Sequence, residues 1–114
     1  MPYIELRTNA VLPREKTEEL KSEIARVLAD SFPGKTENWL MLDFCGGEDM
    51  FFAGSGEPCA MADVSIFGPQ TKKNYDKMTR AVTDLVSAAC GISPDRIYVK
   101  YTEYDKWGWN GGNF

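Results

Sequence analysis

Residues 3–28, YIELRTNAVLPREKTEELKSEIARVL, change their hydrophobic period once, and that change decides the fold. Over residues 3–7 apolar and polar side chains alternate, which puts Ile4 and Leu6 on one face of a half-buried strand. After Leu12-Pro13 the period lengthens. Leu20, Ile24, Val27 and Leu28 then fall at i, i+4, i+7 and i+8, one stripe of an amphipathic helix, with Glu19, Lys21, Glu23 and Arg26 on its polar side. Pro33-Gly34 stops the helix, and residues 39–44, WLMLDF, are a second predicted strand.

The same order recurs further along. Cys45-Gly46-Gly47-Glu48-Asp49 and Gly54-Ser55-Gly56-Glu57-Pro58 are turns by composition, and Met50-Phe51-Phe52-Ala53 between them is a candidate short strand. Residues 59–67, CAMADVSIF, predict a strand with Val64 and Ile66 on one side, ended by Gly68-Pro69. A helix over residues 72–89 lines one face with Tyr75, Met78, Val82, Leu85, Val86 and Ala89, and Gly91 suits its C-cap. Ile97 to Thr102 predicts the last long strand, and the tail from Trp107 to Phe114 mixes large aromatics with glycines. The chain therefore reads as one domain, residues 1–114, with pseudo-repeat halves of about 2–57 and 58–114. Two βαβ units of the α/β class predict a four-stranded sheet with both helices on one face. The other face would carry Met41, Phe67, Tyr98 and Tyr101, and an apolar open face of that kind calls for cover by another subunit.

Composition excludes several chemistries. Seventeen acidic against thirteen basic residues leave a net charge of −4, which offers no general attraction to nucleic acid or anionic membranes. The chain has no His, which removes Ser-His triads, imidazole acid–base work and mixed Cys/His metal sites. Cys45, Cys59 and Cys90 lack CxxC spacing and read as free thiols rather than a disulfide scaffold or zinc site. Asp43, Glu48 and Asp49 read as solvated turn acids, so no metal is expected. The glycines do not match a phosphate-binding loop, so neither ATP nor NAD is expected. No apolar run reaches the roughly 18–20 residues of a membrane span. The start, MPYIELRTNA, lacks a basic stretch before an apolar core, so no signal peptide is expected and a cytoplasmic location is the default.

What remains is an unusual amine. Removal of Met1 would leave Pro2 as a secondary amine on a rigid ring at the head of a strand. Free α-amino groups titrate near 7.7–8.0, and a proline amine is intrinsically more basic. Burial and a neighbouring Lys or Arg lower such a value, which would give a neutral general base without His. Met-Pro starts also occur for processing reasons alone. Lys35, after the Pro33-Gly34 stop, either holds a carboxylate or is a solvated loop lysine. Lys100 shares a strand face with Tyr98 and either charges a pocket or faces solvent. Trp39, Phe67, Tyr98, Trp107 and Trp109 are core packing or, with an amine and lysines nearby, the walls of a site for a small planar acid.

These pieces together resemble the macrophage migration inhibitory factor family, within the tautomerase superfamily, over essentially the whole chain. The resemblance is carried by the Met1-Pro2 start, Gly34-Lys35, Ser55-Gly56-Glu57-Pro58-Cys59-Ala60, Ile92-Ser93-Pro94-Asp95-Arg96-Ile97-Tyr98, and Gly108-Trp109-Asn110-Gly111-Gly112-Asn113-Phe114. It implies a homotrimer of two-βαβ subunits, three sheets around a central channel, and sites at the subunit interfaces. It implies a keto–enol tautomerase acting on phenylpyruvate-like and dopachrome-like substrates, small aromatic α-keto acids among them, without metal or cofactor. Pro2 would be the catalytic base and Lys35 the family's lysine. Ser65, Ile66 and Phe67 would lie on the strand segment whose backbone meets substrate, and Tyr98 would come from the neighbouring subunit.

Lys100 stands where a neutral asparagine is usual near the mouth, Phe67 where an aliphatic residue is usual, and Trp107 adds bulk. Ala62 stands where the best-known member has the second cysteine of a CxxC pair, so a thiol–disulfide activity is not expected. The resemblance also carries an alternative reading, a secreted cytokine-like ligand for a cell-surface receptor, released without a signal peptide and with catalysis incidental.

Overall fold

The alternation at the start of the chain builds β1 (Pro2–Thr8), whose Pro2, Ile4, Leu6 and Thr8 are buried while the residues between them are not. This holds in the computed structural model, which describes residues 1–114. The helical stripe builds α1 (Arg14–Ser31), and β2 (Met41–Cys45), β3 (Ala60–Phe67), α2 (Lys72–Cys90) and β4 (Ile97–Tyr104) follow. The strands lie in the order β2-β1-β3-β4. β1 runs parallel to β2, β3 runs parallel to β4, and β1 meets β3 antiparallel with Pro2 opposite Ile66 and Thr8 opposite Ala60. Neither helix is long and apolar enough to cross a membrane.

Both helices cover one face of the sheet. Ile4, Leu6, Val64 and Ile66 from the sheet meet Leu20, Ile24 and Leu28 of α1 and Met78, Val82 and Val86 of α2 in one core. Each such side chain contributes about 1.5–3 kcal/mol by leaving water. Thr8 is tolerated in the core because its hydroxyl donates to Cys59 O at 2.7 Å and accepts from Ala10 N at 3.1 Å. α2 opens on Thr71, whose Oγ1 accepts from Asn74 N at 3.1 Å, and closes on Gly91 in the left-handed region at φ 66°.

Several sequence expectations change. Residues 39–40 are not strand: Glu37–Trp39 form a 3-10 turn in which Trp39 N and Leu40 N bond back to Thr36 O and Glu37 O, so those amides are not free for a ladder. Residues 50–53 are also not strand. Phe52 and Ser55 exchange two backbone bonds of 3.0 Å around Ala53 (φ 53°) and Gly54 (φ 77°), which makes a tight two-residue turn. Tyr101 belongs to the helix side rather than the open face. It shares the parity of buried Ile97, and its ring lies 4.6 Å from Tyr75 and 6.2 Å from Phe32. The tail is a hairpin, β5 (Gly108–Trp109) with β6 (Gly112–Asn113), turned by Asn110 (φ 51°) and Gly111 (φ 78°).

The open face is more polar than expected. Its central row crosses all four strands as Asp43, Glu5, Asp63 and Lys100, with Lys100 Nζ 3.4 Å from Asp63. Met41, Tyr98 and Tyr104 are its large exposed apolar residues.

Candidate functional site

α1 ends at Ser31, Gly34 takes φ 85°, and Lys35 N bonds to Phe32 O at 3.0 Å. This turn brings Lys35 back over the end of β3, where Nζ donates to Phe67 O at 3.0 Å. The chain terminus lies at the same place, because Phe67 N bonds to Met1 O at 3.2 Å. Partial burial, and secondarily the charge of Lys35, hold the Met1 amine below the ordinary α-amino range. The head of β1, the end of β3 and the loop after α1 therefore converge on one amine.

Beside it opens a cleft of about 670 Å³. Pro2, Ser65, Tyr104 and Lys106 line it, together with Trp39, Trp107 and Trp109, the only three tryptophans of the chain. The Trp39 and Trp109 rings meet edge to face at 5.0 Å, and Tyr104 and Trp107 do so at 5.9 Å. The terminal hairpin supplies much of this wall. It is held by Phe114 N donating to Trp107 O at 2.9 Å and by the Phe67 and Phe114 rings 5.7 Å apart. No carboxylate lines the cleft, and Lys106 is its one charged side chain. An aromatic slot with an amine and an ammonium suits a flat organic acid.

The structure places the sequence candidates unevenly. Pro2, Ser65 and Trp107 line the cleft. Lys35 stands beside it without forming its wall. Ile66 is fully buried in the core, so its backbone alone, opposite Pro2, faces the site. Phe67 packs on Phe114 and offers its carbonyl to Lys35. Tyr98 and Lys100 lie elsewhere on the open face: Tyr98 opposite Met61 with its ring 4.9 Å from Phe52, and Lys100 against Asp63. Tyr104 and Lys106 were not candidates from sequence. Tyr104 is carried there because β4 runs two residues past Thr102, the end expected from sequence, and closes opposite Phe67.

A second cluster lies on the open face, where donor atoms of Glu5, Asp43 and Cys45 fall within 4.8 Å of one another. These groups already have partners. Arg7 Nε donates to Glu5 and Tyr3 Oη to Asp43, each at 3.0 Å, and Asp43 in turn pushes the Tyr3 phenol up to about 12. Burial, then the charge of Asp43, pushes the Cys45 thiol up and so keeps it protonated.

Comparison with known proteins gives one consistent result. The family model described as macrophage migration inhibitory factor matches residues 1–114. The macrophage migration inhibitory factor of Meriones unguiculatus is 31% identical over 117 residues, covering 100% of this chain and 99% of its own. A D-dopachrome decarboxylase of Gallus gallus is 30% identical over 110 residues, covering 94% and 90%. The crystal structure of Leishmania major MIF2 matches with a TM-score of 0.93 at 29% identity, covering 100% of this chain and 97% of that one.

Proposed function

The chain belongs to the macrophage migration inhibitory factor family, and from that premise we propose that it is a keto–enol tautomerase whose general base is Pro2, freed by removal of Met1. The observation that carries this reading is the place of Pro2, in the wall of the aromatic cleft at the head of β1, where Lys35 crosses the end of β3. While Met1 is attached, the Pro2 nitrogen is an amide and has no basic lone pair. Once Met1 is gone, the amine lies one residue further into the fold, at a buried position. Burial there and the positive field of Lys35 both favour the neutral form.

The substrate is a small aromatic α-keto acid of the phenylpyruvate kind, or a dopachrome-like cyclised amino acid, with its ring against the tryptophans. Neutral Pro2 takes the proton from the carbon next to the ketone, and the electron pair moves into the carbon–carbon bond as the enolate oxygen gains charge. A donor at that oxygen stabilises the transition state. The protonated Pro2 then returns its proton, and the net change is one proton moved from carbon to oxygen. In this reading the working form is a homotrimer, and Tyr98 and Lys100 reach the cleft from a neighbouring copy. That assembly would also cover the open sheet face. A cytoplasmic location is part of the same proposal. The mammalian relatives are named for inhibiting macrophage migration, and a second reading makes this chain a signalling ligand of that kind, with a cell-surface receptor as its partner.

Phenylpyruvate tautomerisation by protein whose mass confirms loss of Met1 tests the enzyme. Pro2→Ala is expected to lower kcat/KM by roughly 100- to 10,000-fold, the usual worth of a positioned base, with the circular dichroism spectrum unchanged. Undiminished turnover in that variant overturns the reading.

A further inference from the structure

We propose that Asn110 is a covalent modification site, an asparagine that deamidates without an enzyme and, as isoaspartate, opens the terminal hairpin beside the cleft. The chain has five asparagines: Asn9, Asn38, Asn74, Asn110 and Asn113. The reaction uses the backbone nitrogen of the next residue as its nucleophile, so the state of that N–H separates them. Ala10 N donates to Thr8 Oγ1 at 3.1 Å. Trp39 N donates to Thr36 O and Tyr75 N to Thr71 O, both at 3.1 Å, and Phe114 N donates to Trp107 O at 2.9 Å. Gly111 N donates to no backbone carbonyl. It is also the one nucleophile of the five that no side chain shields, and a Cβ built there would meet no atom within 4 Å. Asn110 and Gly111 are both exposed. Their turn closes a ribbon of two pairs, Gly108 with Asn113 and Trp109 with Gly112, outside the main sheet. A ribbon that short opens readily. Asn110 then leaves its φ of 51°, and Cγ is free to swing onto the Gly111 nitrogen.

The step balances with water as the only other reactant. Gly111 N gives up its proton and bonds to Asn110 Cγ. The Cγ–Nδ2 bond breaks, and ammonia leaves with that proton. Water then adds to either carbonyl of the resulting cyclic imide. At Cγ it breaks the new C–N bond and gives aspartate. At the backbone carbonyl carbon of Asn110 it breaks the original peptide bond, and the chain now runs through Cγ as isoaspartate. Nothing is oxidised or reduced. Isoaspartate adds a carbon to the main chain and leaves a free carboxylate at position 110. A two-residue turn with positive φ at both positions matches the twist of its strands only at its own length. The longer main chain therefore breaks the pairing of Trp109 with Gly112, and Trp109 loses its edge-to-face contact with Trp39.

The test incubates the full chain at mildly acidic and at mildly alkaline pH and maps its peptides over time by chromatography and mass. The segment that holds Asn110 is expected to gain the mass difference between a hydroxyl and an amino group. It should split into aspartyl and isoaspartyl forms, faster at alkaline pH, with fragmentation placing the change at 110 and not at 113. The peptides of Asn9, Asn38 and Asn74 should still be intact. Tryptophan emission of the same samples should move to longer wavelength in step with isoaspartate. Asn110→Gly keeps a turn of positive φ and removes the reacting amide, so its emission should stay constant. Asn110→Asp carries the new charge on an unaltered main chain, so its emission when fresh should match fresh wild type. An Asn110 segment that outlasts the other asparagine peptides overturns the site. Isoaspartate without an emission shift, an equal drift in Asn110→Gly, or the full shift already present in fresh Asn110→Asp overturns the opening of the hairpin.

Discussion

Lys35 Nζ lies 3.0 Å from Phe67 O, and this one hydrogen bond ties the loop after α1 to the strand that flanks the chain terminus. It fixes where a positive charge stands relative to the amine. Both the partial burial of the amine and this charge act against protonation. Because the folded value is lowered, folding shifts the balance toward the neutral amine relative to the unfolded chain. Its contribution to stability is present above the ordinary α-amino range and is lost as pH falls through the lowered value.

The first prediction follows from that sign. In protein that retains Met1, an NMR titration of the terminal amine should give a midpoint below 7.7–8.0. Lys35→Met should raise it, because the charge is removed while burial stays. In processed protein the pH–rate profile should rise with pH, and Lys35→Met should move the rising limb to higher pH. A midpoint that Lys35→Met leaves in place would show that burial acts alone.

The second prediction concerns Arg96, at the end of the short turn before β4. Its guanidinium donates to the carbonyls of Phe52, Ser55, Glu57 and Pro58 at 2.9–3.1 Å and lies 5.2 Å from the Phe52 ring centre. The planar fork reaches several carbonyls at once, whereas a lysine is a point donor. Arg96→Lys should therefore leave at least one of these carbonyls without its partner, at about 1–3 kcal/mol. Urea denaturation should show that loss. Amide exchange at Phe52 and Ser55, which bond each other, should quicken ahead of the β3 amides.

How far the sequence carries depends on whether an element is specified by its own residues. Ile4 and Leu6 alternate, and Leu20, Ile24 and Leu28 form a stripe, because each face is chosen by local period; both faces are where the period puts them. Tyr101 shows where that stops. An aromatic on a strand says nothing of which face it takes until the parity of a buried neighbour such as Ile97 is known. The cleft is harder still. Pro2, Trp39, Ser65 and Lys106 belong to four separate parts of the chain, and only the sheet register and the terminal hairpin gather them. Tyr98 and Lys100 lie on the same strand as Tyr104, yet the strand's rise carries them several residues away from the site.

The last prediction tests whether the terminal hairpin shapes the cleft or merely borders it. Gly111 sits at φ 78°, and the Asn110-Gly111 turn is what returns the chain from Trp109 to Phe114. A Cβ at position 111 would meet no atom within 4 Å, so Gly111→Ala acts through backbone strain and not through a clash. The expected cost is about 1 kcal/mol, and it falls on a two-strand ribbon outside the main core. Global stability should therefore change little while the hairpin loosens. Trp109, released from its edge-to-face contact with Trp39, should shift its emission to longer wavelength. KM for phenylpyruvate should rise with it, because the wall that receives the ring is less well held. A variant with an altered emission spectrum and an unchanged KM would show that the ring binds without this wall, against the residues of the cleft that lie outside the hairpin, Trp39, Tyr104 and Trp107 among them.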